Sequence, residues 1–441
     1  MTNLPENWIK CTLGDIIRIR NGYAFPKNVF INKENAGETA VPLIKQTQLS
    51  GYTIDLSDCV YVDSKYLREK EEFIISYGDI LIGLSGSIMK WCIYDKPFPA
   101  LQNQRTGCIK KSNKDKNIKY ILFYLRHISN DIIEQSKGIG ILNISTSTIE
   151  KNTFPLPPLA EQGRIVAKIE ELFAGIDAGV ENLKSVKNQI ALYRQSVLKS
   201  AFDGTLYKTT EWNFTSIGTV CDINPKTVLP DFSDDSIVSF LPMPTVEAET
   251  GAFSPETVEY KKVKKGYTKF QNNDVLFAKI TPCMENGKSC VVHDLIQGVG
   301  FGSTEFHVLR CHAGMLPEYV FYFVVQKVFR SKAIPFMTGA VGQKRVPADY
   351  LRDCEIPVPS LDEQKRIVAE IESRFERADA LETAVDRALS NAEKLKQAVL
   401  KKAFSGELVP QNPDDEPASV LLDRIRAARA SELPAKKGKR K

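Results

Sequence analysis

The sequence predicts an α+β protein: two β-rich globular parts joined by two long helices that form an antiparallel coiled coil, the whole an internal repeat with pseudo-two-fold symmetry. Three observations predict it. The stretch PLPPLAEQGRIVAKIEELF beginning at Pro155 returns as PVPSLDEQKRIVAEIESRF beginning at Pro357. Residues 155–206 lie on 357–408 without a gap, and the far ends match again as VLKSAFDGTL against VLKKAFSGEL. Between the copies lie segments with short, strongly apolar runs of strand length.

Equal length with loose identity is what a long helix keeps, because its two ends must stay in register. In the first copy Val166, Ile169, Phe173, Ile176, Val180, Leu183, Ile190 and Val197 step by three and four, a heptad seam over several turns. Lys187 and Arg194 interrupt it. The second copy carries Val368, Ile371, Phe375, Ala378, Val385, Leu389, Ala392 and Val399, with small residues that let another helix approach. The proline-rich starts enforce extended chain before each helix. Ser360 and Glu363 have capping-box spacing, and Gly204 and Gly406 suit helix C-termini. From Glu161 to Lys199 such a helix is about 58 Å long at 1.5 Å per residue. A seam of this length selects a helical partner over a curved domain surface.

The segments between the helices echo one another faintly. WIKCTLGDI (8–16) resembles WNFTSIGTV (212–220), YGDILIGLSG (77–86) resembles NNDVLFAKIT (272–281), and YILFYLRH (120–127) resembles YVFYFVVQ (319–326). DILIG and DVLFA read as buried strands and the aromatic stretches as a buried helix. Two equivalent units in tandem can pack their helices head to tail. Such a pair suits two half-sites on duplex DNA, roughly 34–36 Å apart per helical turn.

At 441 residues the chain has room for two or three domains, and its formal charge of +5 permits but does not demand a polyanionic partner. Nine scattered cysteines, with no leader-like start, predict reduced thiols in a cytoplasmic protein. No apolar run approaches the ~20 residues of a membrane span.

Enzyme chemistry finds no foothold. PCMENGKS (282–289) fails as a phosphate loop because Pro282 stands where the first Gly must be. The Asn/Asp-Pro-Pro-aromatic loop of an adenine methyltransferase is missing. GVGFG (298–302) lacks a strand-to-helix setting. Cys290 with His293, and Cys311 with His312, do not make a metal site. Asp231 with Glu259 and Lys261 resembles a nuclease set at the level of chance, and EYKKVKKGYTK (259–269) is the densest basic stretch inside a domain. A single-chain methyltransferase or nuclease, and a purely protein-bridging scaffold, are the competing readings.

The paired Pro-x-Pro-x-x-x-Glu-Gln starts, the paired Ala-Phe-x-Gly ends and the stretch DEPASVLLDRIRAARA make the whole chain resemble Type I restriction-modification specificity subunits. The resemblance implies target recognition domains at 1–154 and 208–356 and coiled-coil helices at 155–207 and 357–409. It places a C-terminal amphipathic helix and basic tail at 410–441. Each domain then reads one half of a split asymmetric DNA target. The helices set the spacer and dock two methyltransferase subunits, through which restriction subunits join. By the same resemblance this chain is expected to hold no catalytic residue, metal or cofactor, with S-adenosylmethionine, ATP and Mg belonging to the partner subunits.

Base reading in the major groove favours Arg, Lys, Asn and Gln on loops and strand ends. Two loops aligned by the repeat precede the proline hinges: SKGIGILNIST, with Lys137 and Asn143, and TGAVGQKRVP, with Gln343, Lys344 and Arg345. A second pair follows the buried strands: SGSIMKW, with Ser87 and Lys90, and KITPCMENGKS, with Lys279, Asn286 and Lys288. Phosphate contacts should outnumber base contacts.

Overall fold

The apolar runs read as strands are strands, and the reason they are unbroken is that both their faces are covered. The structure is a computed structural model that describes residues 4–51, 53–86, 89–110, 117–136, 143–206, 212–340 and 342–432. In chain order the strands are β1 (Ile9–Thr12), β2 (Arg20–Asn21), β3 (Ala40–Ile44), β4 (Val60–Asp63), β5 (Ile74–Ile75), β6 (Ile80–Gly83), β7 (Trp91–Ile93), β8 (Ala100–Gln102), β9 (Thr106–Ile109) and β10 (Thr153–Leu156). There follow β11 (Asn213–Ser216), β12 (Cys221–Ile223), β13 (Ile237–Leu241), β14 (Glu256–Glu259), β15 (Thr268–Gln271), β16 (Asp274–Ala278), β17 (Ser289–Val291), β18 (Val299–Gly302), β19 (Phe306–Cys311) and β20 (Glu355–Val358). The helices that matter here are α1 (Ile118–His127), α2 (Leu159–Phe202), α3 (Pro317–Val324), α4 (Leu361–Ser405) and α5 (Ala418–Glu432).

Two compact units divide the chain: Met1–Val180 with Leu389–Lys441, and Glu181–Ala388. Each contains part of both long helices. In the first unit β1 pairs with β10, one sheet has the order β2-β9-β6-β7, and another β4-β3-β8-β5 with β3 and β8 parallel. In the second, β11 pairs with β20, one sheet has the order β12-β19-β16-β17, and another β14-β13-β18-β15 with β13 and β18 parallel. The topologies are identical strand for strand. The repeat seen in the helices therefore extends through the globular parts, where sequence kept only echoes of it.

Within the first unit, Ile80 and Ile82 of β6 join the core that holds α1, while Leu81 between them faces the core shared with β8 through Ala100. In the second unit, Val275 and Phe277 of β16 face the α3 core and Leu276 and Ala278 face the other sheet. A strand buried on both faces has no solvent side on which to alternate. Each such side chain contributes about 1.5–3 kcal/mol of burial. The paired glycines of GVGFG belong to this packing: a Cβ on Gly300 would lie 2.4 Å from the Phe270 ring. They are a strand against an aromatic ring rather than a cofactor loop.

The long helices start where their repeated motif ties them down. In the first unit Tyr120 of α1 donates to the Pro155 carbonyl at 2.9 Å, Gln162 Nε2 to the Pro157 carbonyl at 3.0 Å, and Trp8 Nε1 to Glu161. In the second, Tyr319 donates to the Pro357 carbonyl at 3.0 Å, Gln364 Nε2 to the Pro359 carbonyl at 3.0 Å, and Trp212 Nε1 to Glu363. Proline removes ladder donors; the Tyr and Gln side chains satisfy the carbonyls of the hinge. Ser360 Oγ caps the helix by accepting the Glu363 N–H at 3.3 Å, and the Glu363 carboxylate reaches Trp212. At the far ends Gly204 and Gly406 adopt φ of 78° and 81°, the left-handed C′ conformation.

The helices pack both on their own domains and on each other. In the first unit Val166, Ile169 and Phe173 of α2 share one core with Val399, Leu400, Ala403 and Phe404 of α4 and with α1, and Ile176 packs half-buried against it. Lys396 of α4 bonds Asp177 of α2 at 2.5 Å. In the second unit Val197, Leu198 and Ala201 share a core with Ile367, Val368 and Ile371, and Phe375 packs against it. Val385 is buried and Leu183 half-buried. Lys187 and Arg194, which break the seam in sequence, bond Asp386 and Asp379 respectively. Within each unit, advancing along α2 retreats along α4, so the two helices run antiparallel there.

The helix α5 packs into the first unit through Ala418, Leu421, Leu422 and Ile425. Leu421 and Ile425 lie on the buried face with Leu422, while Val420 beside them is exposed. Among the described residues no helix is long and apolar enough to cross a membrane.

Candidate nucleic-acid interface

Strand ends are where a rigid sheet can aim side chains outward. In the second unit the chain leaving β16 meets the loop before β20. Val346 N–H donates to the Lys279 carbonyl at 2.9 Å and Thr281 N–H to the Lys344 carbonyl at 2.9 Å. A third loop closes the group, since Lys279 N–H donates to the Glu305 carbonyl at 2.9 Å. The same three loops meet in the first unit. Ile144 N–H donates to the Leu84 carbonyl at 2.8 Å and Leu84 N–H to the Arg105 carbonyl at 3.0 Å, with Asn143 bridged to Ser85. The two loop pairs proposed from sequence are brought together in both units, and the third loop was missed.

In the second unit Gln343 and Lys344 are exposed. Arg345 is held: Nε donates to Glu305 Oε2 at 2.9 Å, Nη2 to Oε1 at 2.7 Å, and Nη1 to the Gln343 carbonyl at 3.0 Å. The guanidinium draws the Glu305 carboxyl below its ordinary range. Burial lowers the Lys279 ammonium, with Arg345 also nearby. The loop has an anchor beneath it: buried His307 bonds the Val346 carbonyl through Nε2 at 2.8 Å, while Nδ1 meets Asn224 at 3.0 Å. Burial lowers the His307 imidazolium range, which favours the neutral ring.

The other candidates separate by what they touch. Asn286 is exposed. Lys288 is engaged in scaffolding, its ammonium donating to the Met243 carbonyl at 3.0 Å. In the first unit Asn143 and Lys90 are exposed. Lys137 and Ser87 lie outside the described residues. Arg105 is exposed at the position that corresponds to Glu305. No sequence signal marked Arg105 or Glu305, since each lies on a loop with no periodicity or motif.

Beside Lys279 a cavity of about 510 Å³ opens, with Lys226, Lys269, Tyr267 and Thr227 in its walls. Three lysines around a concavity, with an aromatic ring, suit a polyanion backbone. Of the lysines in the basic stretch 259–269, only Lys269 lines the cavity. Lys261 pairs with Asp235 and Glu259, Lys262 with Glu259, and Lys264 with Asp234. Glu259 is spent in those pairs, and no cluster of three metal-ligating side chains occurs among the described residues.

Comparison with known proteins gives one family. The model of the Type I restriction modification DNA specificity domain matches residues 5–188 and again 209–390. The Type I restriction enzyme EcoAI specificity subunit of Escherichia coli is 34% identical over 262 residues, 50% of this chain and 44% of that one. This chain thus spans less than half the length of that relative. The EcoKI specificity subunit of Escherichia coli K12 is 25% identical over 471 residues, 99% of each chain. A solved chain described as the structural basis underlying complex assembly and conformational transition of the type I R-M system superposes with a TM-score of 0.68. It shares 18% identity and covers 92% of this chain and 99% of its own. At that identity the likeness shows the fold.

Proposed function

The chain belongs to the Type I restriction modification DNA specificity family, and from that premise we propose that it is the DNA-recognition subunit of a Type I restriction-modification complex. Each unit reads one half of a split, asymmetric target. The antiparallel helices fix the spacer and dock two methyltransferase subunits, through which restriction subunits attach. Methylation with S-adenosylmethionine, and ATP- and Mg-dependent translocation and cleavage, reside in those partners, and the complex works in the cytoplasm.

The observation that carries this reading is the repeated three-loop cluster. One backbone framework occurs twice, once with Arg105 and Asn143 at its rim and once with Glu305 and Arg345. Same scaffold with different hydrogen-bonding groups is what two readers of unlike sequences require, because sequence is discriminated by donor and acceptor patterns on base edges. The lysine-lined cavity supports a phosphate-tracking surface next to it.

The test is to express the chain with its methyltransferase partners and map modified adenines across the host genome. A bipartite motif with an unspecified spacer is expected. Modification without sequence preference, or a single uninterrupted motif, overturns the reading.

A further inference from the structure

We propose that Arg345 reads a guanine in one half of the target, and that Glu305 is the positioning residue that aims it. The proposal rests on the reading of the second unit as a DNA-recognition domain. A guanidinium has five N–H donors in a fixed plane. Glu305 takes Nε–H and one on Nη2, and the Gln343 carbonyl takes one on Nη1. One N–H is left on each terminal nitrogen. Two donors on a planar group match the O6 and N7 acceptors on the major-groove edge of guanine, the pairing that discriminates this base from the other three.

The surroundings favour a reader over a structural ion pair. The Arg345 side chain is 40% exposed while Glu305 is 24% exposed, so the cation faces outward over a more sheltered carboxylate. The backbone of Arg345 is fixed on both sides. It exchanges N–H and carbonyl bonds with Thr338 at 2.8 and 3.0 Å, and the next residue is held by Lys279 and His307. A long flexible side chain loses much rotamer entropy on ordering; here the carboxylate has ordered it before any duplex arrives. The matching positions of the first unit carry Arg105 and Asn143, residue types that cannot make this ion pair. The guanine read by the carboxylate-aimed arginine is therefore assigned to the half-site of the second unit.

The experiment is adenine-modification mapping with the chain in complex with its methyltransferase partners, for wild type, Arg345→Ala, Arg345→Lys and Glu305→Gln. In wild type one position of one half-site should be guanine. Arg345→Ala should make that position degenerate, lowering its preference on the order of tenfold or more, with the other half-site and the spacer unchanged. Arg345→Lys, a point charge without the planar fork, should not restore it. Glu305→Gln should weaken the preference at the same position and no other, which a merely structural role would not do. The unchanged half-site reports intact assembly within the same measurement. A motif without guanine, a motif unaltered in the variants, or loss of modification at every site each overturns the assignment. If wild type gives no bipartite motif, the recognition reading itself falls; if it does and only the variants fail to alter it, the fault lies with Glu305 and Arg345 alone.

Discussion

Trp8 donates its indole N–H to Glu161 across 3.0 Å, joining the residue before β1 to the first turn of α2. Trp212 and Glu363 do the same at 3.1 Å in the second unit. The pairs differ in burial: Glu161 is 1% exposed, whereas Glu363 is partly exposed. Burial also holds the Glu161 carboxyl above its ordinary range, while Trp8 opposes that rise.

Removing the donor should therefore cost unequal amounts. Trp8→Phe leaves a buried carboxylate oxygen short of a partner and should destabilise the first unit by about 2–3 kcal/mol. Trp212→Phe leaves an oxygen that water can reach and should cost about 1 kcal/mol. Denaturant unfolding of both variants, followed by Tyr and residual Trp fluorescence, measures the difference. Equal losses would show that the hydrogen bond is not what distinguishes them.

The buried carboxylate of Asp274 receives two bonds from Arg310, each at 2.8 Å, and one from the Gln271 N–H at 2.8 Å. Asp274→Ala strands a cation beside a sheet core and should cost about 3–5 kcal/mol. Thermal unfolding should show the second unit melting first.

Asp15 forms a capping box with Thr12 and also bonds Arg426 of α5 at 3.0 Å. The Thr12 bonds, with Arg426 adding to them, bring its carboxyl down to about 2. A depressed carboxylate stabilises the fold above its unfolded pKa, near 3.9, and the contribution vanishes as pH falls through the folded value. Asp15→Asn should lower stability by about 1 kcal/mol at pH 7, and the gap from wild type should close between roughly pH 4 and pH 2. A gap independent of pH in that window would assign the effect to packing.

Between the helices of the second unit, Arg194 bonds Glu382 at 2.8 Å and also Asp379. Arg194→Ala should cost about 0.5–1 kcal/mol. Arg194→Glu should cost more, and Glu382→Arg added to it should recover part of the loss. Recovery in a double-mutant cycle that weakens with salt is the signature of a cross-helix ion pair.

If the helices fix the spacer, four residues inserted near Lys187 should change the spacer of the modified motif and leave the half-site bases alone. A four-residue insertion is a stutter that a coiled seam absorbs by local unwinding. Changed bases with a fixed spacer would remove the ruler function from α2.

The repeat, the long helices and the buried strands were legible because each rests on periodicity or local composition. Val166, Ile169 and Phe173 announce a face by their spacing alone, and DVLFA announces a doubly covered strand by having no polar face. Partnerships between loops have no such signature. Glu305 is silent in sequence because its partner Arg345 lies forty residues on, and only β19 and the loop before β20 bring them together. The stretch EYKKVKKGYTK looked like a phosphate surface because its lysines are adjacent in sequence. Asp234 and Asp235, which neutralise two of them, arrive from another loop. GVGFG read as a glycine cluster because sequence cannot display the Phe270 ring lying against Gly300. The short helix α5 was legible as amphipathic except at one edge of its face: Val420 and Leu422 flank the buried Leu421, and only packing shows that Leu422 is covered and Val420 is not.

The division of the chain has a temporal meaning. The second unit is one uninterrupted stretch, Glu181–Ala388, whereas the first draws on Met1–Val180 and on Leu389–Lys441. Ribosomes deliver residues in order, so the later-encoded unit has all its parts while the earlier one still waits for Val399, Phe404 and Leu421 to cover α1 and Trp8. Until that moment the nascent N-terminal half carries a bare apolar surface. A stop codon ahead of Val399 would make that transient exposure permanent, turning the half synthesised first into the one that chaperones and proteases inspect last.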